Sequence, residues 1–382
     1  MRGPLAAVPI ALGFAWMGCR QLAGIEDIEP SVSDAAARDA RATDASDAEA
    51  GSLGVDGASG CGCPGCTMLA EGLNLPASLV VEGGYVYFLN YGPEDGQGSL
   101  MRVSAGGGSP ETVVGGLTRP LSIASDGNSL YWQAEDGKGG GIVEKRALAG
   151  GTTRTLASGL STLQSVVIQS TVQFPLTNNI ALTPTDVYFV GYSAGIQAGI
   201  LSVPVDGGTV STLIDQFSGD AGAAKALSVN GIVTDGSALY AVSNGSWVGI
   251  LSVPLHGGPP SALAGNLVNP WVLTASGQDV FFLDVGLSGK SGTLQRVPKI
   301  GGPAKILLQK LTSPWAIVAD QGVLYFAVAG GPTGGSVNAY DIASGEVSSV
   351  APNLMSPVSV AVDAKNVYWT DFNCGAVLKA PR

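Results

Sequence analysis

The residues of this 382-residue chain best equipped for chemistry are few and unevenly placed. Cysteines stand at 19, 61, 63, 66 and 374, and the sole histidine is His256. Cys61-Gly-Cys63-Pro-Gly-Cys66 has the spacing of half a zinc site, yet no second Cys or His cluster supplies the remaining ligands. In an oxidising compartment the same residues form bridges instead, and Cys61, Cys63, Cys66 and Cys374 suffice for two disulfides. A lone histidine excludes most His-based metal and acid–base chemistry. Asp126, Asp235, Asp320 and Asp363 are spread along the chain in similar Asp-Gly, Asp-Gln or Asp-Ala contexts, which suits carboxylates that brace turns better than a shared cation site. Aromatic and amide side chains remain as ligand anchors: Trp271, Trp315, Tyr192, Trp247 and Phe372, with Asn178 and Asn230.

What positions these groups is a repeat. An aromatic recurs at Tyr87, Tyr131, Tyr188, Tyr240, Phe281, Tyr325 and Tyr368. One residue before it stands Val86, Leu130, Val187, Leu239, Val280, Leu324 or Val367, and eight before it Leu79, Ile123, Ile180, Ile232, Leu273, Ile317 or Val360. Five before it the side chain always carries an oxygen, and eleven before it proline stands at Pro76, Pro120, Pro270, Pro314 and Pro357. Each unit reads as short β-branched and aromatic strands separated by turns, with paired glycines (Gly207-Gly208, Gly257-Gly258, Gly301-Gly302) closing a hairpin. Four strands per unit in tandem describe propeller blades. The expected fold is all-β: a seven-bladed β-propeller over residues 61–382, its last unit of three strands completed by the N-terminal strand near Thr67–Leu73.

Tyr368-Trp369-Thr370-Asp371 is the motif of YWTD propellers, and the repeat as a whole resembles the bacterial extracytoplasmic relatives of the YWTD and NHL propellers. Propellers host lactonases, lyases and quinone-cofactor dehydrogenases, so the resemblance leaves an enzyme open beside a binding or scaffolding role. The lyases and sugar dehydrogenases imply catalytic histidines, and His256 falls in a Leu-His-Gly-Gly turn. A calcium-dependent lactonase implies acids converging on the channel, and no column of inner-strand carboxylates exists in the sequence. No cofactor is therefore expected, with Ca²⁺ as the one ion to test.

The turns before the aromatic are uniform in length and lie on one face of such a fold. The other face carries hairpin loops of unequal length and insertions near 163–179 and 215–228. Variation confined to one face marks it as the binding face. Trp271 and Trp315, each directly after a proline and in one column with Asn178 and Asn230, are expected near the channel mouth there; blade-to-blade packing is the competing reading. One cysteine bridge is expected within 61–66. Pairing with Cys374 stays open, because Cys374 is expected at the face opposite the closing strand's hairpin.

The first sixty residues read as address and tether. Leu5 to Gly18 is apolar, too short to span a bilayer and suited to a secretory signal. Trp16-Met17-Gly18-Cys19 resembles a bacterial lipobox, which implies a signal peptide over 1–18 and lipidation at Cys19. Residues 19–60, rich in Ala and Asp, form a disordered linker. Charge is −11 over the chain, which excludes a nucleic-acid binder, and no apolar run reaches the ~18 residues of a transmembrane helix. The expectation is a monomeric, non-catalytic envelope lipoprotein that takes an unknown envelope protein or glycan. A propeller enzyme and a purely structural shell are the alternatives.

Overall fold

The computed structural model describes residues 61–92, 94–160, 166–168, 172–174, 179–191, 199–218, 224–287, 291–330 and 334–382. The expected signal peptide, linker and Cys19, together with Asn178 and Tyr192, lie outside the described residues.

The described residues are all-β. Among them five sheets have four strands, and a seven-stranded sheet consists of two four-stranded units that share the 15-residue strand Glu111–Ser125. Within each unit the strands run inner, second, third and outer in antiparallel succession. The units are numbered here 1 to 7 by the aromatics Tyr87 to Tyr368. Unit 7 departs from the pattern: Pro357–Val362, Asn366–Asp371 and Ala376–Pro381 are joined by Thr67–Ala70, which pairs with the third strand in the register Thr67↔Lys379 and Ala70↔Val377. The two stretches expected as insertions each fold into a two-stranded ribbon, Val166–Ile168 with Val172–Phe174 and Gln216–Ser218 with Ala224–Ala226.

The second strands are apolar on both sides because both sides are covered. In unit 7, Val367 and Trp369 pack against unit 6, whereas Tyr368 packs against unit 1. Seven apolar clusters fill the seams between consecutive units in this way, the one between units 7 and 1 included. Burying each such side chain contributes about 1.5–3 kcal/mol, so the repeated aromatic is the main packing element of every unit. The sheets thus stand in a propeller-like arrangement, with their inner strands around a cavity of about 470 Å³.

Two side-chain devices hold neighbours together. Ser359, Ser78 and Ser122, nine residues before their aromatics, accept the backbone N–H of Leu79, Ile123 and Asn179 on the next inner strand at 3.2–3.3 Å. These bonds satisfy N–H groups on an edge that has no further strand to pair with. The third strands carry Gly98, Gly199, Gly249, Gly292 and Gly335 at their first or second position, where a Cβ would come within 2.2–2.8 Å of an outer-strand carbonyl oxygen. At Gly98, Gly292 and Gly335 it would also meet Pro120, Pro314 or Pro357 of the next unit. Glycine and proline are thus a packed pair at three of the five recurring prolines.

Candidate functional site

The face of the crossings and second-to-third hairpins is built on buried acids. Asp371 accepts the backbone N–H of Met355, Ser356 and Cys374, and Asp284 those of Val268, Asn269 and Gly286, all at 2.9–3.2 Å. Asn90 does the same for Asn74. The residue three after the aromatic therefore fixes the crossing that enters its own unit. In the YWTD sequence three of the four side chains are occupied: Tyr368 Oη donates to Asp363 at 2.6 Å, Thr370 donates to Ala77 O of unit 1 at 2.6 Å, and Asp371 accepts the crossing, while the buried Trp369 Nε1–H has no partner among the described residues. Leu75, Arg119 and Ser313 enter inner strands at φ +55°, +44° and +45°, each directly before a proline. Such left-handed non-glycine residues store about 1–3 kcal/mol of strain each, and they persist here because the braces around them hold the crossings.

Upon this base lie the aromatic and amide side chains singled out in the sequence. Trp271 and Trp315 meet edge to face, ring centroids 5.9 Å apart. Trp271 is only 9% exposed and sits within the cluster between units 5 and 6, while Trp315 is half-buried against it. Asn230, in the same column, is half-buried. Trp247 folds its indole back over Gly249 and Gly265, with Ser243 Oγ donating to its carbonyl at 2.9 Å. Phe372 is corrected from a loop contact to a core residue: it is 1% exposed, and its N–H bonds Ser356 O. The tight Phe372–Gly375 turn packs the ring inward.

Sequence reasoning missed a charged group on the same face. Arg119 lies 3.3 Å from Asp95 and 3.4 Å from Glu135, whose side chain is almost fully buried. Burial lifts the nearby Tyr91 hydroxyl above its ordinary value; Arg119 opposes this, and Glu135 and Asp95 add to it. Gln133 and Asn179, both buried, lie at the junction of units 2 and 3: Gln133 Nε2 donates to Val190 O, and Asn179 O accepts Val190 N–H. Their side-chain carbonyls receive no hydrogen bond. The available signal was their place: Gln133 falls two after the aromatic, where other units except unit 7 have an aliphatic residue or alanine.

The cysteines pair as Cys63–Cys66 and Cys61–Cys374. The second bridge resolves the open question about Cys374. Thr67 pairs at the far end of Ala376–Pro381, whereas Cys374 precedes its near end. The segment 61–66 must therefore run back along the depth of the sheet, within the ~20 Å that six extended residues can span.

On the opposite face the turns are uniform. Tyr131, Tyr240 and Tyr368 donate to Asp126, Asp235 and Asp363 at 2.6–2.9 Å, and each acid also accepts two turn N–H groups. Burial alone would raise Asp235, but Lys299 at 2.6 Å, Ser237 and the turn N–H groups hold it well below the usual carboxylate range. Burial and the acid beside it push the Tyr240 and Tyr368 hydroxyls up to about 12. Asp320 pairs with Arg382 at 2.6 Å. His256 is exposed at its turn. Among the described residues no group of three or more His, Cys, Asp or Glu is placed to hold a metal ion. The channel wall consists of aliphatic residues with Ser78, Ser125, Thr234, Thr274 and Ser359.

No family model matches the chain, and no curated protein matches it in sequence. Among solved structures it is similar to the β-propeller domain of the Trilobed protease from Pyrococcus furiosus, described as having an open velcro topology (9% identity, 78% of this chain and 91% of that one, TM-score 0.53). It is also similar to a putative 6-phosphogluconolactonase from Bacteroides fragilis (14%, 78% and 91%, 0.52). A third likeness is to the extracellular domain of a putative hybrid two-component system from B. thetaiotaomicron (13%, 82% and 39%, 0.54), of which the chain spans well under half the length. At these identities the likeness is one of fold, and the fold is of the β-propeller kind.

Proposed function

We propose that this chain is a non-catalytic, extracytoplasmic binding module: seven four-stranded blades closed into a ring by Thr67–Ala70, exported by a signal peptide over 1–18 and held to a membrane by lipid on Cys19 through the linker 19–60. The observation that carries the reading is the inequality of the two faces. One spends its polar groups on its own turns. The other bears two extra ribbons, the Trp271–Trp315 pair and the Arg119–Asp95–Glu135 group on a rigidly braced base. Such a surface suits an envelope protein or glycan, since tryptophan and arginine are among the side chains that most often anchor interfaces, and Trp315 and Arg119 are the partly exposed ones here. Two disulfides support an oxidising compartment. The enzymatic alternative, a calcium-dependent lactonase- or lyase-like site, lacks support in a channel wall that holds no acid, amide or histidine among the described residues.

The test is capture of envelope proteins and glycans by wild type and by Trp315→Ala, the less buried of the pair, with thermal midpoints measured for both. A partner enriched by wild type and lost by a folded Trp315→Ala protein supports the module. No enriched partner from either fraction refutes it, and calcium-dependent hydrolysis of a lactone would favour the enzyme. Radiolabelled palmitate incorporated by wild type and absent from Cys19→Ala checks the anchor.

A further inference from the structure

In every unit the third-strand residue opposite the position before the aromatic turns toward the preceding unit. Six of these residues are apolar and buried: Val103, Val203, Val253, Val297, Tyr340 and Ala380. The seventh is Arg146, paired across the strands with Leu130. It is half-buried in the seam between units 1 and 2, and among the described residues its guanidinium has neither a carboxylate nor a hydrogen bond. A charge drawn partly out of water without a partner is costly.

Equivalent seams show what is missing. Between units 2 and 3, Lys145 donates to Val205 O at 3.1 Å and lies 3.7 Å from the Asp206 carboxylate. Between units 7 and 1, Lys379 donates to Ala105 O at 2.5 Å. Between units 1 and 2 the corresponding residue, Arg102, turns back instead onto Glu111 at 2.7 Å and stacks over Tyr85 at 4.7 Å. The next turn offers Ala149 where unit 3 has Asp206. The seam stays open as a cavity of about 250 Å³ bounded by Tyr87, Arg102, Glu111, Thr112, Arg146 and Leu148.

We propose that this seam binds a small oxyanion, a carboxylate or a phosphate monoester, whose oxygens lie between Arg146 and Arg102 and do there what Asp206 does one seam later. The planar fork of arginine matches both groups bidentately. Leu148 and the neighbouring Leu130 and Val113 receive an apolar or sugar-sized body. Glu111 is the internal competitor, since it already neutralises Arg102. The site is separate from the face of crossings and stands whether or not that face binds a partner.

Calorimetric titration of the intact exported protein with inorganic phosphate and with acetate tests it. Wild type is expected to saturate at one site with at least one of the two, and the tighter anion identifies the source as phosphate or carboxylate. Arg146→Val restores the buried column, so it should keep or raise the thermal midpoint while weakening binding at least tenfold. Glu111→Gln should tighten binding several-fold. Affinity unchanged in Arg146→Val, or no saturation by either anion in both wild type and Glu111→Gln, overturns the proposal.

Discussion

The two faces of this protein use the same residue type in opposite settings. On the uniform face Asp126, Asp235 and Asp363 brace short turns near solvent, and their bonds to the turn and its tyrosine reach five residues or fewer along the chain, with Lys299 at Asp235 the one longer reach. On the other, Asp371 and Asp284 are buried and draw in backbone from fifteen or sixteen residues earlier, so that each crossing is held by the unit it enters. A solvated brace fixes a turn whose alternatives are also hydrated; a buried one is the only acceptor available. Stability should therefore depend on the face of crossings, although its loops are the less regular. A surface free to vary in its tips needs a base that does not.

The contrast can be broken in order of size. Cys374→Ser removes a bridge spanning 313 residues of sequence and should cost about 2–5 kcal/mol, whereas Cys63→Ser opens a loop of a few residues and should cost much less. Equal losses in thermal midpoint would show that the Cys61–Cys374 bridge seals nothing. Asp371→Ala strands three N–H groups, one buried and two part-buried, and should cost about 3 kcal/mol, against about 1 kcal/mol for Asp363→Ala, whose turn can rehydrate. Urea midpoints in the reverse order would sink the argument from burial. Gly292→Ala places a methyl 2.8 Å from Leu311 O and Pro314 Cδ, an overpacking worth about 1–3 kcal/mol; Gly115→Ala, with nothing closer than 3.7 Å, should be near neutral by the same denaturation assay.

The smallest effect is pH dependence, and it belongs to the uniform face. Asp126, Asp235 and Asp363 are held below their ordinary values despite burial, by the tyrosine hydroxyls, Lys299 at Asp235, and turn N–H groups. Their stabilisation is complete above the unfolded carboxylate value of about 4 and fades as pH falls below it. Tyr240 and Tyr368 are pushed up to about 12. Their contribution is complete below about pH 10 and is lost as pH rises toward 12. Thermal midpoints should fall outside both limits, and Tyr240→Phe with Tyr368→Phe should flatten the alkaline limb. An alkaline limb left unchanged would mean the Asp–Tyr bonds do not couple to folding.

Much of the fold was legible because it repeats at fixed offsets. The aromatic, its aliphatic neighbours and the turn oxygens align without gaps, since the first two strands and the turn between them keep one length. The glycine column escaped notice for the converse reason: Gly98, Gly249, Gly292 and Gly335 follow their aromatics by 11, 9, 11 and 10 residues, because the hairpins between differ in length. Phe372 read as a loop aromatic because loop position says nothing about which way a tight turn points its side chain. Trp247 reads as exposed until the two glycines beneath it are brought together. Arg146 was invisible as an exception until the seams showed that its column faces inward.

By itself the amino-acid sequence determined the strands, the unit length and the acids that brace the turns, because those depend on period-two alternation and on bonds within a few residues. Tertiary structure alone decided which charges meet across seams and which do not. Lys145 finds Val205, 60 residues on, and Lys379 finds Ala105, 274 residues back, while Arg102 turns to Glu111 on its own sheet. Such pairings depend on the spacing between stacked sheets and on which rotamer reaches a partner first, and no local pattern encodes either.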